Sequence, residues 1–484
     1  MRADLSIAAL AVCLASCASV AEFRPGGDGG WSAEQRAEEL QRLARRAGVD
    51  FGASREAPAV VPQTLDLATA LAMAAKGNRR IAISERQLEG LEQQVHDVRG
   101  RLLPTTVGSG RYTWYTDAQR NRIQLPGALA ESAPPGGTSI KIRDAELGTL
   151  NGTMTLSLDV SGELRHALAA VEAGYRGEQA RLWATTLDQQ LAVVRAYFQL
   201  LEGERLREVT EKNVGLDREQ LENAQAKFQN GRLTKNELLV VQVALQAAVQ
   251  ELDQRSLAIA QARYALNQAI GADVNAPTEP ADVTAQPVLP SVDEALRSAY
   301  AENPVLRSLV EEQQRLEETA RSLVRSRFPR LAAGAAIDYS SSQLLEPRDI
   351  GSGFVGFNWD LDTDGRREAE IAEARIAVER NRLEIERQLR ELEAVVRSTQ
   401  QAAAERLSAL ATAETAVGQA EENYRIRQQQ FDVGRASSED VLDAQALLSA
   451  ERATRASALY QAHVRLAELR SLMGRSAVSE SSPR

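Results

Sequence analysis

The sequence predicts an α+β membrane protein built from a duplicated helix–hairpin–helix unit, with four barrel strands per chain and very long coiled-coil helices. Three observations predict it. The chain repeats itself. Its apolar residues recur every three to four positions in some stretches and every second position in others. Its composition, with 4 % aromatic residues and long runs rich in Ala, Gln, Glu, Arg and Leu, is that of long helices.

The repeat is clearest in two stretches, "KFQNGRLTKNELLVVQ" (Lys227–Gln242) and "QFDVGRASSEDVLDAQ" (Gln430–Gln445). Phe228, Gly231, Arg232 and Gln242 match Phe431, Gly434, Arg435 and Gln445, each pair 203 positions apart. Gly271 matches Gly474, Gly162 matches Gly365 and Leu158 matches Leu361 at the same spacing. Further upstream, Ala70-Leu71, Asn78, Leu91 and Pro104 match Ala295-Leu296, Asn303, Leu316 and Pro329 at a spacing of 225. The first copy therefore holds 22 extra residues, placed in "AQRNRIQLPGALAESAPPGGTSIKIRDAE", whose Pro, Gly and Ser predict a surface loop.

Taken in order, residues 1–16 read as an export leader, with an apolar run from Leu5 to Leu14 too short to span a membrane. Leu14-Ala15-Ser16-Cys17 resembles a bacterial lipobox, which implies acylation at Cys17, and Ala18 in place of Asp implies the outer membrane. Residues 17–63 form a tether with a helix expected after Ser32 as N-cap. The first repeat spans 64–272, a Pro- and Ala-rich linker 273–290, the second repeat 291–474, and a polar tail expected to be disordered 475–484.

Each repeat opens with a helix, about Leu65–Leu102 and Val292–Arg327, closed by Pro104 and Pro329. Strands are expected at about 104–116, 147–160, 329–341 and 350–361. In each, large apolar residues alternate with polar or small ones. Tyr112, Trp114, Met154, Leu156, Ile337, Tyr339, Phe357 and Trp359 are the expected lipid-facing set. Half-buried strands of a soluble sheet alternate in the same way. Four such strands beside an export leader favour a barrel. Four strands cannot close one, and an open edge in lipid costs several kcal/mol per unpaired group. An oligomer is required: two chains give eight strands, three give twelve.

Long helices follow, from about Leu164 to Gln229 and Arg366 to Asp432, with coiled-coil stripes such as Leu187, Leu191, Val194, Phe198 and Leu201. A Gly-Arg turn reverses each, and a helix of about 35 residues returns. Asp440 and Asp443 sit three apart on one face after the second turn; Glu237 and Val240 replace them in the first copy. Acids at a helix start also offset the helix dipole, which accounts for Asp440 better than for Asp443.

These features resemble TolC-type outer-membrane efflux channels, in the lipoprotein branch. The resemblance covers roughly Leu65–Gly474. It rests on the duplication, Pro104 and Pro329, the junction "WDLDTDGRR" (Trp359–Arg367), and above all "VGRASSEDVLDAQ". It implies three chains forming a 12-stranded barrel continued by a helical periplasmic tunnel. It also implies a periplasmic adaptor at the tips Gly231, Arg232, Gly434 and Arg435, an inner-membrane pump, and a gate lined by Asp440 and Asp443. Glu237 departs from that pattern, and Lys235 is placed to pair with a carboxylate there.

Much is absent. The formal net charge of −10 argues against a nucleic-acid partner. Cys13 and Cys17 are the only cysteines, so no disulfide framework exists beyond the N-terminus. His96, His166 and His463 are scattered, and no zinc, phosphate-binding or nucleophile motif occurs. No enzyme, metal or cofactor is expected. The leading reading is a passive exit duct of a tripartite efflux system for drugs or metal ions. Type I protein secretion would use the same duct. A lipid-anchored periplasmic scaffold without a pore is the reading from another class; it has no use for a lipid-facing strand set.

Overall fold

In the computed structural model the two copies fold alike, each segment following its own periodicity. The structure describes Arg42, Pro62 and residues 64–123, 138–231, 233–283, 288–433 and 435–477. Met1–Pro58 is a unit of its own, in which Arg42 is helical; the remaining elements belong to Ala59–Arg484. Cys17, Arg232, Gly434, the rest of the helix expected after Ser32 and residues 478–484 lie outside the described residues.

Strand β1 (Thr64–Leu65) leads into helices α1 (Leu67–Gly77) and α2 (Arg79–Gly100). Strands β2 (Thr105–Trp114), β3 (Gln119–Ile123), β4 (Thr138–Arg143) and β5 (Glu146–Leu158) follow. Helices α3 (Glu163–Gln229) and α4 (Lys235–Ile270) make the first long hairpin, and β6 (Glu279–Pro280) lies between the copies. The second copy is α5 (Val292–Glu302), α6 (Pro304–Arg325), β7 (Arg330–Ser340), β8 (Asp349–Asn358), α7 (Arg366–Asp432) and α8 (Ser438–Leu472).

Two expectations need correction, and the linker between the copies gains a place. The opening helix of each copy is two helices, not one. Asn78 and Asn303 take extended backbone and cap the second helix: Asn78 Oδ1 accepts from Arg80 N at 2.9 Å, and Asn303 Oδ1 from Val305 N and Leu306 N at 3.0 and 3.1 Å. A side chain that offers the backbone a competing acceptor breaks an otherwise continuous pattern. The inserted loop is not loop throughout, because β3 and β4 pair as an antiparallel ribbon. The linker is docked: β6 pairs in parallel with β1, and Asn267 Nδ2 donates to Val274 O and Ala276 O, both at 3.0 Å.

The main sheet is antiparallel in the order β2-β5-β7-β8. Below it, α3 packs against α2 and α6 and then, further down, against α4 and α8; α7 packs against α6 and α8. Both α3 and α7 run 67 residues, about 100 Å at 1.5 Å per residue. A helix this long finds its stability in neighbours, and the largest apolar core, around Tyr197, Leu200, Leu266 and Ile270, lies where α1, α4 and the C-terminal half of α8 meet α3. A second core joins Ala295, Leu296, Leu392, Val396 and Leu469. Gly474 ends α8 with φ +76°, and a Cβ there would stand 2.2 Å from Glu302 O. Only glycine allows so close an approach. Among the described residues no helix is long and apolar enough to cross a membrane.

Candidate functional sites: the strand face and the helical tips

Register decides which side chains share a face of the sheet. Met154 opposes Thr106 on one side and Ala335 on the other; Ala335 opposes Gly353. Ile337 opposes Gly152 and Gly351, and Leu331 opposes Leu158 and Phe357. Counting by twos from these rungs puts Tyr112, Trp114, Met154, Leu156, Ile337, Tyr339 and Phe357 on one face, with Trp359 continuing it. All are exposed except half-buried Leu156. Exposed Leu150 and Val355 join them by the same register.

The aromatic members sit at the two ends. Phe357 and Trp359 lie at the helix end, where Trp359 Nε1 donates to Arg327 O at 3.0 Å. Tyr112 and Trp114 lie at the far end, their rings edge to face at 5.1 Å. From the Phe357 rung to the Tyr112 rung is ten residues along the strands, about 33 Å. With strands tilted by about 40°, that is a height of roughly 25 Å.

The opposite face is mainly polar. Asn151 donates to Asp338 across β5 and β7, and Thr153 Oγ1 donates to Asn151 Oδ1 at 2.9 Å. Phe354 is an exception, with its ring covering Gly334, 2.5 Å from where a Cβ would stand. Val107 and Ile350 are others.

At the other end of the long helices are two reversals. Gly231, with φ +69°, turns the chain after α3. Thr234 and Glu237 then form a capping box: Glu237 Oε2 accepts from Thr234 N at 2.7 Å and Thr234 Oγ1 at 2.6 Å. The second tip repeats this. Asp440 Oδ2 accepts from Ser437 N at 2.8 Å and Ser437 Oγ at 2.7 Å, while Ser437 Oγ accepts from Asp440 N at 3.1 Å. The backbone N–H of Ser437, helped by its hydroxyl, holds the Asp440 carboxyl below the ordinary range. The Thr234 hydroxyl, helped by its backbone N–H, likewise holds the Glu237 carboxyl down. Asp440 thus does serve as a cap, and Glu237 is its counterpart. Sequence reasoning missed both boxes, although T-x-x-E and S-x-x-D before an apolar run signal them.

Asp443 differs. It is exposed and has no hydrogen-bond or ion-pair partner among the described residues. Arg427 Nη1 comes no nearer than 3.9 Å to Asp440 Oδ1. Lys235 is exposed and pairs with no described carboxylate. Lys227 Nζ lies 3.3 Å above the Phe431 ring, joining the first tip to the second. Higher in the same seam, buried Gln445 of α8 bridges Asn213 and Asp217 of α3. Sequence reasoning recognised Gln445 only as a repeat position.

A family model described as outer membrane efflux protein matches residues 70–272 and 295–475. Among solved structures, the chain is similar to CusC at 15 % identity and TM-score 0.72, over 85 % of this chain and 93 % of that one. It is similar to the CmeC outer membrane channel of Campylobacter jejuni at 14 % identity and TM-score 0.72, over 90 % and 92 %. It is also similar to the outer membrane protein VceC of Vibrio cholerae at 15 % identity and TM-score 0.69, over 85 % and 97 %.

Proposed function

The chain belongs to the outer membrane efflux protein family, and from that premise we propose how this efflux channel assembles and what its parts do. Three copies close one 12-stranded barrel, and their helices continue it as a tunnel through the periplasm. The duct is passive: it serves an inner-membrane pump through an adaptor that docks at the tips around Gly231, Arg232, Gly434 and Arg435. The cargo is small molecules, drugs or metal ions. The scaffold reading leaves the apolar strand face without a purpose.

The observation that carries this reading is the alignment of open edges. Among the described residues strand β2 pairs on one side only, with β5, and β8 only with β7. In the helical layer the same two edges are α2 and α4 at one side and α7 at the other. Every layer is therefore open at the same two flanks, one from each repeat. Joining β2, α2 and α4 of one copy to β8 and α7 of the next satisfies all of them with one head-to-tail contact. Such a contact closes into a ring when its rotation divides a full turn, and lipid requires that the ring be closed. The apolar band of about 25 Å between aromatic ends matches the lipid-facing girdle of a barrel.

At the tips, Asp443 supplies an uncommitted ring of three carboxylates and Asp440 a second ring already engaged as caps. Carboxylates clustered in a constriction attract cations, multivalent ones most. Single-channel recording in planar bilayers tests this. Divalent cations added from the tip side should block the channel, and Asp443→Asn should relieve most of the block. Asp440→Asn should relieve less while lowering thermal stability. Wild-type block in the D440N/D443N double variant would refute the gate, and a monomeric detergent-free protein would refute the ring.

A further inference from the structure

The seam between the two long hairpins holds a carboxylate where apolar packing is expected. Helices α8 and α3 pack together here, and Val441, Ala444 and Leu448 of α8 and Val214 and Ala224 of α3 are all buried. Within this stripe Asp217 is 3 % exposed and Gln445 is 2 % exposed. Gln445 Nε2 donates to Asp217 Oδ1 at 2.7 Å and to Asn213 Oδ1 at 2.6 Å, and Ser449 Oγ donates to Asn213 Oδ1 at 3.1 Å. Both amide hydrogens of Gln445 are thus used, while its Oε1 is buried without a partner.

Among the described residues no cation is paired with Asp217. The charged groups lining the adjoining groove, from all three helices, are engaged elsewhere. Lys212 of α3 pairs with Glu208 at 2.9 Å, and Arg452 of α8 pairs with Glu421 of α7 at 2.8 Å. The group of α7 that responds to Asp217 is the Tyr424 phenol, which burial and the charges of Glu219 and Asp217 push up. Asp217 itself is governed by two opposed influences, burial and the Gln445 hydrogen bond. An ionised carboxylate with one neutral donor in an apolar seam is poorly solvated. Two changes relieve it: a proton, or separation of α3 from α8 so that water enters.

We propose that the Asp217–Gln445 cluster is a proton-dependent latch between the two hairpins. With Asp217 protonated, α3 and α8 stay closed; with it ionised, the seam above the tips loosens. Burial raises the Asp217 carboxyl above its ordinary value. The closed seam therefore binds the proton more tightly than the open one, is fully stabilised at low pH, and weakens as pH rises through the raised value. The latch is a property of this chain's own helices; only its effect on conduction rests on the duct reading.

Hydrogen exchange of the full-length protein in detergent, followed in peptides from 210–220 and 441–452, tests it. After correction for intrinsic rates, protection in wild type should fall as pH rises from 4 to 8, by up to about tenfold per pH unit within the titration window. Asp217→Asn should stay protected throughout and lose the pH dependence. Gln445→Leu removes the donor that favours ionisation, so the same transition should recur at higher pH. A purely packing role predicts uniform loss of protection in both variants with the pH profile unchanged, and that result would overturn the proposal. So would a wild-type profile that is flat. Conductance measured in a D440N/D443N background, free of the Asp440 and Asp443 carboxylates, should rise with pH only if Asp217 is present. A protein that conducts in no variant refutes the duct while leaving the exchange result to decide the latch.

Discussion

An arginine at Ile337 is the sharpest probe of the strand face. Ile337 is 65 % exposed, and its rung neighbours are Gly152 and Gly351, so no large side chain covers it. Its rung is midway between the Phe357 and Tyr112 ends, two steps of two residues or more from either. At about 3.3 Å per residue and a tilt of about 40°, it lies about 10 to 15 Å from each aromatic end, near the bilayer midplane. Arginine at the midplane of a barrel costs about 2–4 kcal/mol, falling to about 0–1 kcal/mol near the interfaces. Trp359 bonds to Arg327 O beyond the last residue of β8, so Trp359→Arg belongs to the second class. Ser352→Arg, on the polar face of the same edge strand, should cost little. Urea titration of protein reconstituted in phosphatidylcholine vesicles should rank the losses as Ile337→Arg far above Trp359→Arg and Ser352→Arg. Equal losses at Ile337 and Ser352 would refute the assignment of faces.

Other consequences follow from individual contacts. His463 stacks on Phe198 at 5.0 Å with its Nε2 buried and unpartnered. Burial, with Arg470 second, pushes its pKa down. The folded state then resists the proton, so stability is full above the unfolded value of about 6.5 and falls as pH drops through it. His463→Phe should show a smaller loss of Tm between pH 7.5 and 5 than wild type. Gly474→Ala forces a Cβ into Glu302 O at positive φ and should cost at least about 1–3 kcal/mol by thermal denaturation. If Cys17 is the acylated residue, mass spectrometry of the mature N-terminus should find a lipidated cysteine, and Cys17→Ser should abolish the modification while the barrel still inserts.

The long elements were legible because their signals are additive. Sixty-seven residues of helical period leave little room for error, and the bounds of α7 are those expected, Arg366–Asp432. The strand faces were legible for a related reason: a period of two cannot slip without moving every side chain to the other face. What escaped was local or pairwise. The break at Asn78 depends on one side-chain acceptor, and that at Asn303 on an acceptor together with Pro304 at the start of α6. The ribbon β3–β4 is a short exposed pair, and its apolar alternation is confined to Ile140 and Ile142. The partnership of Gln445 with Asp217 spans 228 positions, and neither residue carries a mark that names the other.

The two copies differ most where their neighbours differ. In α3 the seam residues are Asn213 and Asp217; the repeat equivalents in α7 are Ala416 and Ala420. The partners in the return helices are Gln445 in α8 and Gln242 in α4. In a closed ring of the proposed kind, α3 meets α8 within one chain, whereas α7 meets α4 of the next. The acid and its amide neighbour thus occur only in the seam inside each chain. On the flank facing the next chain neither equivalent carries charge: Ala420 is buried within its own chain and Ala416 half-buried, while Leu239, Val240 and Val243 of α4 are exposed. Apolar contact is insensitive to pH, and a buried carboxylate is not. A ring built this way yields first within its chains, hairpin from hairpin, while the joints between chains hold.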